Sequence, residues 1–291
     1  MLVSLEILDN PFYRGSQSPS MDYLSSGFSK VDSSLDPSVF ISCLRTLSSL
    51  PYFQDYKKKS FQLLELKVDS KILEIGCGLG QDAIALSQMI GNKSILVAFD
   101  SSRKMIEVAR KGTNEMASIQ FCLADACSLP FGDSVFDGAR ADRVFQHISE
   151  PRKAFAEMVR TVRDNGRVVV YEPDWGTFII SPGKKEICRT MTRLFGDTFP
   201  SGWIGRKLPS FFRAEGLEDI QIQPETFFTE DLNLAISIFD LVNNAHRAQS
   251  MGYVSLSQAD GWLEALREAY KKGCFFCSYT GFLVSGRKHG K

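Results

Sequence analysis

The glycine-rich stretch Lys71–Gly80 limits the folds open to this chain more than any other segment. Its first five residues are mainly apolar, which is typical of a short strand buried on both faces of a sheet. Gly76, Gly78 and Gly80 follow at alternate positions, where they permit positive φ angles and leave backbone amides uncovered. The next ten residues have the apolar spacing of a helix packed on that strand. This order predicts a nucleotide-sized cradle at the carboxyl edge of a parallel sheet.

The spacing of the glycines indicates which nucleotide fits the cradle. A dinucleotide site spaces them G-x-G-x-x-G and places a pyrophosphate on the helix N-terminus. Here the spacing is G-x-G-x-G, and Glu74 lies two residues before the first glycine. A carboxylate in the cradle favours a cationic or amine-bearing ligand and opposes a pyrophosphate. Binding of NAD is therefore the less favoured alternative.

With these residues the chain resembles the class I S-adenosylmethionine-dependent methyltransferases, whose first motif is (D/E)-x-G-x-G-x-G. The resemblance extends from about residue 60 to 175 and is looser beyond. It implies an α/β, Rossmann-like fold with a seven-stranded, mostly parallel sheet, helices on both faces and an antiparallel last strand. It also implies S-adenosylmethionine as cofactor and S-adenosylhomocysteine as product.

Acidic residues follow the next two predicted strands. Residues 94–100 end in Asp100, near the spacing at which a carboxylate meets a ribose diol; the alternative is that Asp100 caps the following helix. Asp125 follows the strand 119–123, and the resemblance implies that it meets the adenine amino group, with turn formation as the alternative. Together with Glu74, these residues are predicted to hold the donor. Further predicted cofactor contacts are Gly76, Cys77, Gly78, Gly80, Ser101, Met105, Ala126 and Arg143.

Methyl transfer from a sulfonium is an in-line displacement that requires alignment and exclusion of water. It requires no metal and no covalent nucleophile, but an oxygen or carbon acceptor usually needs a base. The candidate bases are His147, just after the fourth predicted strand (134–141), and His246, in a predicted helix (232–248). For each histidine the alternative is a structural role.

Acceptor contacts are predicted near the end of the fifth strand (167–171) and beyond it. Glu172 and Asp174 are further candidates as a base or as an anchor for a cationic group. Aromatic side chains there can form walls around an aromatic or prenylated acceptor. The predicted substrate contacts are Asp174, Trp175, Trp203 and His246.

Two domains are predicted. Residues 1–60 form an N-terminal helical cap, and residues 61–291 form the methyltransferase domain, in which inserted helices within 176–272 build the acceptor-site wall. No metal site is predicted, because Cys274 and Cys277 form the single C-x-x-C of the chain and are expected to be buried structural cysteines.

Composition restricts the partners. Lys plus Arg equals Asp plus Glu at 34 each, so the chain has no general attraction to nucleic acid. It also lacks the (D/N)-P-P-(Y/F) tetrad of many nucleobase and glutamine methyltransferases. We predict a small-molecule acceptor, no nucleic-acid substrate, no stable membrane insertion, and a monomer or homodimer. Seven scattered cysteines and the absence of a signal peptide indicate the cytoplasm.

The leading hypothesis is a methyltransferase that acts on an O, N or C nucleophile of a small molecule, as in quinone biosynthesis or secondary metabolism. Two alternatives stay open: a Rossmann-type NAD-dependent oxidoreductase, and a catalytically inactive S-adenosylmethionine-binding protein.

Overall fold

One seven-stranded sheet forms the centre of the molecule. The computed structural model describes residues 24–90, 94–113 and 118–290. The strands lie in the order β3-β2-β1-β4-β5-β7-β6, and β7 runs antiparallel to both of its neighbours. In chain order they are β1 Lys71–Ile75, β2 Ile95–Asp100, β3 Ile119–Leu123, β4 Phe136–Asp142, β5 Val162–Ser181, β6 Leu217–Thr229 and β7 Phe276–Lys288. The predicted Rossmann-like sheet with an antiparallel last strand is therefore confirmed.

Helices alternate with the strands and cover the sheet. In chain order they are α1 Leu24–Gly27, α2 Ser38–Ser49, α3 Pro51–Leu63, α4 Gln81–Ile90, α5 Arg103–Gly112, α6 Pro151–Thr161, α7 Lys185–Asp197, α8 Ile204–Ala214, α9 Leu232–Phe239, α10 Leu241–Ser250 and α11 Leu256–Lys271. Two 3-10 helices, Phe28–Ser33 and Phe145–His147, contribute to the site described below.

Both faces of the sheet are buried. Successive residues of a strand point to opposite faces, and Ile72 and Leu73 of β1 accordingly belong to two separate apolar cores. The core that contains Ile72 includes residues of α3 and α4, whereas the core that contains Leu73 includes residues of α6 and α8. The prediction of helices on both faces is confirmed.

Three local predictions differ from the structure. The helix predicted over 232–248 is broken at Asp240, whose left-handed backbone (φ 51°, ψ 43°) separates α9 from α10. Strand β5 extends ten residues beyond its predicted end because β7 pairs with it as far as Ser181. Cys277 is buried but Cys274 is exposed, so the expectation of two buried cysteines is wrong for Cys274.

The N-terminal region packs against the carboxyl edge of the sheet. Residues 1–23 of the predicted cap lie outside the described residues; from Leu24 onward the region is helical, comprising α1, the first 3-10 helix, α2 and α3. No helix among the described residues has both the length and the apolar character needed to cross a membrane.

Candidate active site

A cavity of about 400 Å³, called the larger cavity here, lies at the carboxyl ends of β1, β2 and β4. Its volume is within the range of about 300–1,000 Å³ that small-molecule and cofactor sites occupy. Residues of the first 3-10 helix, α2 and α3 form the opposite wall. Ten of the predicted cofactor contacts line it: Glu74, Gly76, Cys77, Gly78, Asp100, Ser101, Met105, Asp125, Ala126 and Arg143.

The glycine turn has the predicted backbone. The φ angles of Gly76, Gly78 and Gly80 are +66°, +50° and +77°, values that only glycine adopts readily. A Cβ atom on Gly76 would lie 2.4 Å from the Val144 side chain. Gly80 does not line the cavity, because it faces Ala109 and the Phe121 ring. Its predicted direct contact with the cofactor stays a prediction.

Asp100 is fixed at the end of β2 by backbone amides. Its Oδ2 accepts a hydrogen bond from Gly78 N (2.9 Å) and its Oδ1 accepts one from Ser102 N (2.9 Å). Burial raises the pKa of the Asp100 carboxyl. The N-cap of α5 is Ser102, whose side chain accepts from Met105 N, so the alternative that Asp100 caps this helix is wrong.

Glu74 belongs to a buried ion cluster that was not predicted from the sequence. Its Oε1 accepts from Arg140 Nη1 (2.5 Å), and the same fully buried guanidinium bonds Asp82 Oδ2 (3.1 Å) and Asp142 Oδ2 (2.9 Å). Lys57 of α3 adds a 2.9 Å ion pair with Asp82 Oδ1. Three carboxylates thus face two cations. The position of Arg140 between Ala139 and Ala141 in a central strand was the sequence signal for this cluster, because a charged residue is rarely buried without partners.

One oxygen of the cluster has no partner. Glu74 Oε2 is buried without a hydrogen bond from any described residue, and the Glu74 side chain lines the larger cavity. Burial raises the pKa of the Glu74 carboxyl. Since buried polar groups are nearly always hydrogen-bonded, this oxygen and the excess of carboxylates suit a cationic donor group.

Asp125 serves both the turn and the cavity wall. Its Oδ1 accepts from Cys127 N (2.8 Å), which closes the turn after β3. The same residue, with Ala126, lines the larger cavity. The turn role and the predicted ligand role are therefore compatible.

A second, smaller cavity of about 40 Å³ adjoins the first. Four residues line both cavities: Phe28, Leu47, Arg143 and His147. Most of the remaining wall of the smaller cavity is apolar or aromatic: Leu24, Phe53, Trp175, Phe195, Phe199, Ile238, Phe239 and Tyr279. A donor in the larger cavity would therefore lie next to an apolar group in the smaller one.

His147 lies where the two cavities meet. Its ring is 5.4 Å from that of Phe28 and 5.5 Å from that of Phe199, centroid to centroid. Burial and the nearby Arg143 guanidinium lower the pKa of His147 to about 3, so the imidazole is neutral at physiological pH. Its buried Nδ1 has no hydrogen-bond partner among the described residues.

Of the predicted acceptor contacts, the structure brings only Trp175 to the smaller cavity, where its Nε1 donates to Gln146 Oε1 (2.8 Å). Asp174 is buried elsewhere and pairs with Arg206 Nη2 (2.8 Å). Trp203 is 49% exposed and its ring lies 4.3 Å from the Arg206 guanidinium carbon. His246 is exposed on α10. Neither cavity includes these three residues, so their predicted acceptor contacts stay predictions.

Glu172 accepts hydrogen bonds from backbone amides. Its carboxylate accepts from the amides of Val144 (2.7 Å) and Phe145 (2.5 Å) at the start of the second 3-10 helix. Burial raises the pKa of Glu172 to about 8. Glu172 thereby holds the segment that carries Arg143 and His147, and it lines neither cavity.

Comparison with known proteins identifies the family. Residues 73–170 match the family model described as a methyltransferase domain. The chain is 32% identical over 245 residues to an uncharacterized 37.1 kDa protein in a transposon of Streptomyces fradiae, covering 84% of this chain and 70% of that protein. It is 25% identical to the demethylmenaquinone methyltransferase of Bacillus cereus, covering 65% and 89% of the two chains.

A solved structure has a similar fold. The Haemonchus contortus phosphoethanolamine N-methyltransferase 2, in complex with S-adenosyl-L-methionine, has a TM-score of 0.56 at 14% identity, covering 93% of this chain and 61% of that one. The chain belongs to the class I S-adenosylmethionine-dependent methyltransferases. S-adenosylmethionine is its cofactor. The larger cavity of this methyltransferase fits that group, since its glycine turn, the fixed Asp100 carboxylate and the unpaired Glu74 oxygen suit an adenosine bearing cationic groups.

Proposed function

We propose that the methyltransferase acts on a small organic molecule that spans the junction of the two cavities, because the smaller cavity of about 40 Å³ holds only an apolar part of it. The observation that carries this proposal is the contact between the two cavities, which share four wall residues. The aromatic lining favours a compact, apolar acceptor. The relative named demethylmenaquinone methyltransferase supports an acceptor of the quinone type without specifying it.

In this proposal Asp100 holds the ribose, Asp125 meets the adenine amino group and Glu74 faces the cationic end of the donor. When bound, the donor supplies an electrophilic methyl group that a lone pair of the acceptor displaces in line. The first 3-10 helix, α2 and α3 cover the cavity and exclude water, which is the main requirement of such a displacement. Residues 24–60 thus act as the described part of the proposed cap.

His147 has a positioning role in this proposal. A neutral imidazole can accept a hydrogen bond from the acceptor, but a pKa of about 3 makes it a weak base. The proton of a neutral acceptor therefore leaves to the solvent when the methylated product is released. A small-molecule substrate, a cytoplasmic location and a monomeric or dimeric state remain predictions.

Calorimetric titration with S-adenosylhomocysteine and with NAD tests the donor site. We expect binding of S-adenosylhomocysteine, and a loss of about 10- to 100-fold in affinity for Asp100→Ala, because a hydrogen bond to a charged group contributes about 1.5–3 kcal/mol. Asp55→Ala, at an exposed position of α3, is the matched control. Binding of NAD alone would reject the donor assignment.

A labelled-methyl assay tests the acceptor class. Purified protein with labelled donor is incubated with extracts of small metabolites, with total RNA and with total protein. We expect label in the small-molecule fraction. Label confined to RNA or protein would reject a small-molecule acceptor.

A further inference from the structure

Arg143 carries the only charge on the wall of the smaller cavity within the described residues, since His147 is neutral there. The Arg143 guanidinium carbon lies 5.3 Å from the centroid of the Phe53 ring. Phe53 lines the smaller cavity and not the larger one. The guanidinium is therefore directed to the acceptor side of the junction.

The half-buried Arg143 guanidinium differs from two buried cations of the sheet in having no anion among the described residues. Arg140 bonds three carboxylates, and Arg167 bonds Glu65. For Arg143 the described residues provide neither a carboxylate within ion-pair distance nor a hydrogen-bond acceptor. The neighbouring Asp142 is already engaged by Arg140, Lys57 and the Tyr56 hydroxyl.

Arg143 is only half-buried, so it stays charged beside the aromatic rings, and a ligand that supplies the counter-charge there would be stabilised by it. A guanidinium also presents several donors in a planar fork that matches an oxyanion. Lys57, the other cation on the wall of the larger cavity among the described residues, is already paired with Asp82 and Asp142.

We propose that Arg143 binds an oxyanion of the methyl acceptor, which is an apolar, aromatic molecule carrying one acidic group. This inference rests on the proposed function and refines its substrate class. It also assigns Arg143 to the acceptor rather than to the cofactor contacts predicted from the sequence. Arg143 then selects among acceptors by charge, while the aromatic wall selects by shape.

Matched pairs of probes test the inference. Benzoate and naphthalene-2-carboxylate, each beside its carboxamide, are titrated into protein saturated with S-adenosylhomocysteine. We expect at least one carboxylate to bind ten times or more as tightly as its amide. Arg143→Gln should reduce this preference to about twofold or less, and Arg143→Lys should retain part of it.

Two further measurements make the result specific. Arg45→Gln removes one exposed charge from α2 and lines neither cavity, so it should behave as the wild type. The affinity of Arg143→Gln for S-adenosylhomocysteine should change by less than about twofold. A variant that loses S-adenosylhomocysteine instead would show that Arg143 holds the donor carboxylate, and would overturn the inference.

The wild-type comparison is informative even if the variants do not fold. If S-adenosylhomocysteine binds but neither carboxylate binds more tightly than its amide, the inference fails and the proposed donor site stands. If S-adenosylhomocysteine does not bind, the proposed function fails together with this inference.

Discussion

At the scale of single residues, the wall of the larger cavity contains two polar atoms that have no partner among the described residues. Glu74 Oε2 and His147 Nδ1 are buried without hydrogen bonds from the described residues, although such groups are rare in folded proteins. Each costs stability, and each lies on the wall of a cavity. A ligand that bonds to these atoms would remove this loss of stability, so we interpret both as sites of ligand contact. The loss can be measured as a lower free energy of unfolding.

For His147 the cost depends on pH. Its pKa is about 3 in the folded protein and about 6.5 when unfolded. The unfolded state therefore binds the extra proton between these values, and stability falls as the pH is lowered through this window. Between pH 7.5 and 5 we expect His147 to remove about 2 kcal/mol of unfolding free energy.

Replacing His147 by leucine should remove that loss. Urea unfolding at pH 7.5 and at pH 5 measures it: the wild type should lose about 2 kcal/mol more than His147→Leu over this interval. Equal pH dependence in the two proteins would show that His147 is not buried as a neutral imidazole.

Prediction from the sequence succeeded where the backbone alone determines position. Gly76 and Gly78 follow directly from a strand that ends at a glycine turn, and Asp100 ends the neighbouring strand, so their place on the cavity wall was predictable. Asp174, Trp203 and His246 were predicted from residue type and approximate position. Their orientation depends on tertiary packing, and on Arg206 in the first two cases, which no local pattern encodes.

At the scale of elements, the first 3-10 helix connects the N-terminal region to the sheet domain. Asp32 on this helix accepts from Ser102 Oγ (2.5 Å), Arg103 N (2.8 Å) and Lys104 N (3.1 Å). Free amides at the start of a helix favour a carboxylate partner. Phe28 and Val31 of the same 3-10 helix line the larger cavity. The Asp32 hydrogen bonds are therefore expected to hold this helix in place over the donor site.

Asp32→Ala should weaken this contact between the first 3-10 helix and α5. Loss of a capping side chain typically costs about 1 kcal/mol, so the open form becomes more populated and the apparent donor affinity falls, by at most about fivefold. Hydrogen exchange of residues 28–33 should quicken, and calorimetry should show weaker S-adenosylhomocysteine binding. Asp55→Ala serves as the control. Unchanged exchange in Asp32→Ala would show that the Asp32 hydrogen bonds do not hold the 3-10 helix over the donor site.

At the scale of the whole molecule, the buried ion cluster holds the cap and the sheet together. Arg140 of β4 bonds Ser60 Oγ of α3 (2.8 Å) as well as Glu74 of β1 and Asp82 of α4. One guanidinium thus joins the cap helix α3, two central strands and the helix that follows the glycine turn. The folding of the cap and the integrity of the donor site are therefore expected to depend on the same residue.

Arg140→Met should be strongly destabilising, because breaking a buried ion pair from one side typically costs about 3–5 kcal/mol. Three carboxylates would then face Lys57 alone, so the pKa of Glu74, already raised by burial, should rise further. A raised acid pKa favours the folded state at low pH and penalises it as the pH rises. Because the Glu74 pKa is already about 8 in the wild type, the stability gap to the wild type should widen as the pH rises from about 7 to about 9 and change little below that range.

Urea unfolding across this range, with Arg163→Met as the control, decides the point. Arg163 pairs with Asp137 at 2.6 Å on the surface, with 57% of its side chain exposed, so its removal should cost no more than about 1 kcal/mol. A cost for Arg140→Met as small as that of the control, or one that does not change with pH, would mean that the cluster does not hold cap and sheet together. A large, pH-dependent cost would show that the charges which face the donor also maintain the closed fold around it.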